Sequence, residues 1–129
     1  MINYFILGHF ISQIKLAKKH KKNYIIIPKS KIIDFHIHFF LKKNLIKTYL
    51  QLKYHYIIFL KFKPESLIKN ISAISTPSKP VYISYYLLDS LLNKNNFNLY
   101  TLSTSNGILD GFTALKLKIG GKLLTKIEL

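Results

Sequence analysis

Hydrophobic residues near the start of the chain recur at the spacing of an amphipathic helix. The apolar positions follow the i, i+3, i+4 pattern and are Ile6, Leu7, Phe10, Ile11, Ile14 and Ala17. Asn3 precedes them at a position suited to an N-cap. A run of cations at 18–22 follows and predicts the end of this helix, because lysines suit the negative end of the helix dipole.

The rest of the first half alternates short apolar runs with turn signals. The β-branched run 24–27 is stopped by Pro28 and predicts a strand. Ser30 is placed to cap a second helix over 31–43. Two further apolar runs, 46–52 and 56–62, predict a hairpin that ends in the turn Lys63-Pro64-Glu65. The first half is therefore predicted to be α-β-α-β-β.

The second half has shorter elements and more Ser, Asn and Gly. Residues 70–78 are rich in Ser and Ile and are predicted to be a linker, since prolines break them. The other predicted elements are a strand at 81–84, a short helix carrying Leu87, Leu88, Leu91 and Leu92, a strand at 99–102, a helical stretch at 112–118 and a strand at 122–127. We predict an α+β protein with an N-terminal α/β subdomain, 1–68, and a mainly β C-terminal subdomain with short helices, 69–129.

Composition and charge narrow the function classes. Among 129 residues there are 20 basic residues, all lysine, and 5 acidic ones, which gives a formal net charge of +15. Lys, Ile, Asn, Phe and Tyr, whose codons are A/T-rich, make up 67 residues, so the gene is predicted to be A/T-rich. Codon bias does not explain the scarcity of Asp and Glu, and the charge therefore predicts a polyanionic partner. The absence of cysteine excludes a disulfide scaffold.

The lysine run 18–22 has a second interpretation, a contact with phosphate. The sequence does not decide between this contact and the helix-dipole interpretation. An alternative of another class is a basic peripheral protein that docks on anionic lipid through the first helix. No apolar stretch is long enough to predict a membrane span. Neither a signal peptide nor an Arg-rich transit peptide is predicted at the start.

Catalytic chemistry is not predicted. Asp34, His36 and His38 are the only cluster of titratable residues that resembles a metal or acid–base set, and on a helix the three do not share one face. We expect the two histidines to lie on a solvated helix flank. The five acids are scattered, and no phosphate-binding, dinucleotide or nucleophile-elbow motif is present. We predict no enzyme activity, no cofactor, no metal site and no small-molecule substrate.

Two polar segments of the second half are candidate binding elements. Residues 103–107 read Ser-Thr-Ser-Asn-Gly and place hydroxyls and an amide at a strand end. Such groups suit phosphate oxygens and ribose 2′-hydroxyls, but the segment taken alone is more typical of an ordinary turn. Gly120-Gly121 allows the backbone to approach a ligand closely, or merely makes a tight turn.

These segments and their spacing resemble small-subunit ribosomal protein S8 of the bacterial type. The resemblance is carried by Ile74-Ser75-Thr76-Pro77, Val81-Tyr82, the run 102–109, Ala114 and Ile119-Gly120-Gly121. The family's pattern there is apolar-Ser-x-Pro-Gly, a Tyr ending the next strand, Ser-Thr-Ser-x-Gly, and Gly-Gly-Glu opening the last strand. The first half matches more weakly, through the order of its elements and Pro28-Lys29-Ser30-Lys31.

The resemblance implies two small α/β domains, the second of which binds small-subunit ribosomal RNA early in assembly of its central domain, beside neighbouring small-subunit proteins. Carried over, the rRNA-binding residues are Ser103, Thr104, Ser105, Asn106, Gly107, Gly120, Gly121, Lys122, Ser75, Pro77, Tyr82, Ser30 and Lys31. For Tyr82, stacking on a nucleotide and packing in the core are equally open. The A/T-rich composition and the departures from the bacterial pattern imply a mitochondrial ribosome, with a plastid or an endosymbiont cytoplasm as the alternative.

The departures put some contacts in doubt. Lys122 replaces the family's Glu, so a hydrogen bond accepted by that carboxylate is lost or replaced by a phosphate contact. Ser78 replaces the Gly after Pro77, and Thr76 and Pro80 stand where the family has basic residues. Because the chain lacks arginine, bidentate pairing with guanine is unavailable, and recognition of RNA shape and backbone is expected.

Overall fold

The computed structural model describes residues 4–61, 68–76, 78–93 and 98–129. The chain divides into two compact units, Met1–Ile68 and Lys69–Leu129, here called unit 1 and unit 2. Each unit combines helices with its own antiparallel sheet. The α+β class is confirmed.

Unit 1 has the predicted order α-β-α-β-β. Its elements are α1 Tyr4–His20, β1 Tyr24–Pro28, α2 Lys31–Lys42, β2 Ile46–Gln51 and β3 His55–Leu60. The sheet has the order β1-β3-β2, and the β2–β3 hairpin is confirmed. The predicted cap Asn3, the end of the last strand at Phe62 and the turn 63–65 lie outside the described residues.

The core of unit 1 follows from the two helical stripes. α1 buries Leu7, Phe10, Ile11, Ile14 and Ala17, which are predicted members of its stripe. α2 begins where Ser30 accepts a hydrogen bond from the backbone N–H of Ile33 at 3.3 Å, as an N-cap does. Against these helices the strands turn alternate residues inward, among them Ile25 and Ile27.

The expectation that both histidines of α2 are solvated is wrong for His36. Its ring is fully buried against Phe10 and Phe40, and its Nδ1 donates to the Ile32 carbonyl oxygen at 2.7 Å. Burial lowers the pKa of His36 from 6.5 to about 4, so the ring is neutral at pH 7. His38 is exposed, and its Nε2 lies 3.2 Å from Oδ1 of Asp34, its i−4 neighbour.

Unit 2 contains two strands that the sequence pattern did not predict. Its elements are β4 Asn70–Ala73, β5 Tyr82–Ile83, α3 Tyr85–Asn93, β6 Leu99–Thr104, β7 Gly107–Asp110, α4 Gly111–Lys116 and β8 Gly121–Glu128. The segment predicted to be a linker contains β4, which pairs with the end of β8. β6 runs past Leu102, and β7 returns from it as the second strand of a hairpin.

The sheet of unit 2 places the start of β8 between two other strands. Its order is β4-β8-β6-β7, and β5 pairs with the start of β8. One face packs on α3 and α4 through a core of Leu88, Tyr100, Leu102, Ala114 and Leu123. Within the part of the chain that the structure describes, no helix is long and apolar enough to cross a membrane.

Candidate nucleic-acid interface

Three of the predicted site residues stand side by side on one face of the unit 2 sheet. Tyr82 of β5 is the register partner of Lys122 of β8, and Lys122 is also the partner of Ser103 of β6. Directly opposed residues project from the same face of a sheet. Leu102 and Leu123 form the preceding pair and belong to the core, so Tyr82, Lys122 and Ser103 project from the other face.

Tyr82 and Lys122 form the aromatic and cationic part of this row. The Tyr82 side chain is 69% exposed, which excludes the core interpretation of this residue. The Lys122 Nζ lies 5.5 Å from the centroid of the Tyr82 ring. A cation over a ring face orients both groups. The ammonium group, which suits an anion, and the ring, which suits a flat base, therefore lie next to each other.

The segment 103–107 forms the turn between β6 and β7. Thr104 pairs with Gly107, which leaves Ser105 and Asn106 as an exposed two-residue loop. The Thr104 hydroxyl donates to the Gly107 carbonyl oxygen at 2.8 Å and accepts from the Asn106 N–H at 3.2 Å. Gly107 has φ +99°, a backbone conformation that favours glycine, whereas Ser105 and Asn106 do not have positive φ. Thr104 therefore builds the turn, and Ser105 and Asn106 are the groups it presents.

Gly120 and Gly121 are required by the protein's own backbone. A Cβ at Gly120 would lie 2.3 Å from the carbonyl oxygen of Ile83, and one at Gly121 would lie 2.3 Å from that of Ser103. No side chain fits at these distances. The pair lets the start of β8 enter between β5 and β6, which sets Lys122 beside Tyr82 and Ser103.

The remaining predicted residues are used differently. Ser75 is buried, and its hydroxyl accepts from the Val81 N–H at 2.9 Å, so it holds the segment that leads to Tyr82. Pro77 lies outside the described residues. In unit 1, Ser30 caps α2 and Lys31 is exposed on its first turn.

One residue of the row was not predicted from the sequence. Ile108 pairs with Ser103 and projects from the same face of the sheet, and it was missed because β7 was not predicted.

The two units carry very different charge. Unit 1 contains 13 of the 20 lysines and two of the five acidic residues, a formal charge of +11, whereas unit 2 has +4. Asp34 is the one acidic residue in the described part of unit 1, and it accepts from the Tyr56 hydroxyl at 3.0 Å as well as pairing with His38. Most of the positive charge thus lies on unit 1, while the geometrically defined row lies on unit 2.

Comparison with known families decides the identity of the chain. The family model for ribosomal protein S8 matches residues 6–127, nearly the whole length. The chain belongs to the ribosomal protein S8 family. An S8 protein is structural rather than catalytic, so family membership confirms that this chain is not an enzyme.

Individual S8 proteins show the same extent of similarity. The chain is 31% identical to small ribosomal subunit protein uS8 of Orientia tsutsugamushi (strain Boryong), over 94% of this chain and 95% of that one. It is 29% identical to the mitochondrial protein uS8m of Acanthamoeba castellanii, over 95% of this chain and 98% of that one. A uS8 of Desulfovibrio desulfuricans is 41% identical over about half of each chain. Both units of this S8 chain therefore fall within the matched region.

Proposed function

We propose that this chain is a structural component of the small ribosomal subunit and that unit 2 binds its ribosomal RNA. The names of the S8 relatives support the first part. The observation that carries the second part is the row of Tyr82, Lys122 and Ser103 on one sheet face, with Ser105 and Asn106 in the adjoining turn. A ring, a cation, hydroxyls and an amide in one place are the groups that hold folded RNA.

The chemistry of these groups defines what they read. Lys122 supplies a point charge for a phosphate oxygen, and Tyr82 offers a ring on which an unstacked base or a ribose can lie. Ser103, Ser105 and Asn106 donate to and accept from 2′-hydroxyls without carrying charge. Since no arginine is available for bidentate pairing, the proposed recognition is of backbone path and minor-groove shape.

The turn is tested by removing one hydroxyl. Ser105→Ala is expected to weaken binding of the cognate small-subunit RNA helix about two- to tenfold, since it removes one neutral hydrogen bond. Ser90→Ala is the matched control, because Ser90 is an exposed serine of α3 in the same unit. Lys15→Ala is a second comparison and is expected to weaken specific binding less than Ser105→Ala. Filter-binding titrations in which Ser105→Ala binds as tightly as Ser90→Ala would refute the site.

Lys122 tests the charged part of the row. Lys122→Gln is expected to reduce the slope of log affinity against log salt by about 0.7–0.9, because one phosphate is no longer neutralised. Lys116→Gln removes an equal charge from the exposed end of α4 and is expected to leave the slope nearly unchanged. Equal slopes for the two variants would show that Lys122 contacts no phosphate.

We propose further that the chain joins the subunit early, within the RNA central domain and beside neighbouring small-subunit proteins, and that it works in a mitochondrial ribosome. The similarity to uS8m of Acanthamoeba castellanii and the A/T-rich composition support this location. Co-sedimentation with the small subunit of purified mitochondria tests it, and recovery only with a plastid or bacterial cytoplasmic small subunit would contradict it.

The lipid-docking alternative loses its main support in the structure. It relied on the apolar stripe of α1, and the predicted stripe residues Leu7, Phe10, Ile11, Ile14 and Ala17 are buried in unit 1. Co-sedimentation with anionic vesicles is expected to be fully reversed by added cognate RNA, since both would compete for the same lysines. Salt-resistant vesicle binding would favour the lipid alternative.

A further inference from the structure

The two outer edges of the unit 1 sheet are built differently. In the order β1-β3-β2, each outer strand pairs only with β3 among the described residues. β2 has an irregular register between Ile46 and Thr48, with Lys47 at the irregularity. Bulges, lysines and prolines are devices by which edge strands avoid pairing with other chains. β1 keeps a regular register with β3 from Tyr24 to Pro28, and its one such device is Pro28 at the end of the strand, so Tyr24 and Ile26 are not protected.

The backbone of β1 directs hydrogen-bonding groups away from β3 at two residues. The Asn23 carbonyl oxygen accepts from Leu60 N–H, and Lys29 N–H donates to the Tyr54 carbonyl oxygen. Backbone N–H and C=O groups alternate in direction along an antiparallel strand. Those of Ile25 therefore also point toward β3, whereas those of Tyr24 and Ile26 point to the outer edge. Their side chains are also 50% and 48% exposed.

The surfaces on the two sides of the β1 edge determine which side chains an added strand would need. On the outer sheet face, Ile26, Ile57 and Leu50 form one row, and Tyr24 lies against Phe59 with ring centroids 6.3 Å apart. Along the edge runs a groove of about 560 Å³, lined by residues 22–26 and by His9 and Gln13 of α1. One side of an added strand would therefore continue the apolar outer face, and the other would lie beside His9 and Gln13 of α1.

We infer that the outer edge of β1 is a docking site for an extended segment of another protein, which adds a fourth strand to the unit 1 sheet. Alternation along a strand requires apolar residues facing Tyr24 and Ile26 and polar residues facing His9 and Gln13, while Lys22, just before β1, favours an acidic residue at that end of the segment. The charge of +11 on unit 1 favours an acidic segment. The inference concerns unit 1 and does not depend on RNA binding by unit 2.

Two other occupants fit the edge less well. A second copy paired antiparallel through β1 would bring Lys22 of each chain toward Lys29 of the other, which like-charge repulsion opposes. RNA has no row of backbone donors and acceptors that matches a strand edge. Exposed Ile26 and Leu50 offer no ring for stacking, and the Tyr24 ring already lies against Phe59.

The full chain, labelled with ¹⁵N, is titrated with a blocked synthetic peptide of alternating isoleucine and glutamate. The expected result is a shift and slowed hydrogen exchange of the Tyr24 and Ile26 amides. Ile26→Pro is expected to weaken binding about tenfold, because it removes an outward N–H while leaving the β1–β3 ladder intact. Gln51→Pro is the matched control: Leu52 N–H donates to the His55 carbonyl oxygen, so Gln51 turns outward on the β2 edge.

Two altered peptides keep the test independent of variant folding. A peptide N-methylated on alternate residues and a peptide of alternating isoleucine and lysine are both expected to bind about tenfold more weakly or not at all. Equal binding of the N-methylated peptide, or equal weakening in Gln51→Pro and Ile26→Pro, would overturn the inference. Sedimentation showing a dimer that Ile26→Pro dissociates, or protection of Tyr24 and Ile26 by RNA rather than by the peptide, would overturn it in favour of another occupant.

Discussion

The identity of some residues in this protein is explained by contacts with residues far apart in the sequence, which a sequence pattern does not show. Gly121 is an example, since its missing side chain is explained by the Ser103 carbonyl oxygen and the Thr104 Cγ2, which a Cβ would approach to 2.3 and 3.0 Å. The sequence alone offered a ligand approach or a tight turn as the reason. The described structure explains the glycine by strand packing, and a contact of its backbone with RNA stays a prediction.

Gly121→Ala is therefore expected to destabilise the protein by about 1–3 kcal/mol, the usual cost of forcing atoms into a packed site. Gly8→Ala is the control, because nothing lies within 4 Å of a Cβ at Gly8 in α1. That change is expected to stabilise by up to about 1 kcal/mol through helix propensity. Thermal unfolding that shows the same shift for both variants would contradict the packing argument.

His36 predicts a pH dependence of stability. Its pKa is lowered to about 4 in the folded chain by burial, against 6.5 when unfolded. Between these values the unfolded state binds a proton that the folded state does not, so the free energy of unfolding falls as the pH falls from 6.5 to 4. The decrease is expected to reach about 3 kcal/mol.

His36→Phe should remove this pH dependence, because a phenyl ring suits the Phe10 and Phe40 neighbours and does not titrate. His38→Gln, at an exposed position on the same helix, should retain it. Urea unfolding at a series of pH values between 4 and 7 measures the difference. A His36→Phe curve parallel to that of the unchanged protein would contradict the assignment.

At the scale of elements, periodicity predicted the parts that bury one continuous face. α1 and α2 were correctly predicted because their stripes pack on a single sheet, and β3 because alternate residues of its apolar run are buried. β4 was missed since only Ile71 of its four residues is buried, and Ser and Pro surround it. β7 was missed because its pairing with β6 is fixed by the Thr104–Gly107 turn rather than by its own pattern.

The candidate site was predicted only in part for the same reason. The segment 103–107 and Tyr82 could be chosen by motif, but their placement in one row depends on β8 pairing with both β5 and β6. No periodicity contains that information, because each pairing joins residues far apart in the chain. His36 was misjudged since a polar residue on a helix gives no sign of being enclosed by rings.

The pairing of β6 with β8 also carries a testable polar contact. Thr101 and Thr125 are register partners, both fully buried, with their hydroxyl oxygens 2.5 Å apart. Thr101→Val is expected to cost about 1–3 kcal/mol, since it leaves the Thr125 hydroxyl buried without this partner. The double change to valine at both positions should recover part of that cost. Chemical denaturation of the two single variants and the double variant gives the coupling, and strictly additive costs would contradict it.

For the whole molecule, most of the positive charge and the proposed binding row lie on different units. We therefore expect general attraction for RNA to come mainly from unit 1 and recognition of a particular RNA to come from unit 2. Unit 1 carries +11 and unit 2 carries the row of Tyr82, Lys122 and Ser103. Lys19 and Lys21, exposed at the end of α1, are expected to add non-specific attraction for RNA. Ser105 is expected to add discrimination without charge.

Replacing Lys19 and Lys21 by glutamine should lower the slope of log affinity against log salt by about 0.7–0.9 for each phosphate that is no longer neutralised. The ratio of affinities for cognate and shuffled RNA should stay nearly constant, because phosphates are present at the same density in both RNAs. Ser105→Ala should do the reverse, lowering the ratio and leaving the slope unchanged. If the lysine variant instead lowered the ratio and kept the slope, the end of α1 would be part of the specific interface, and the division of labour between the two units would be wrong.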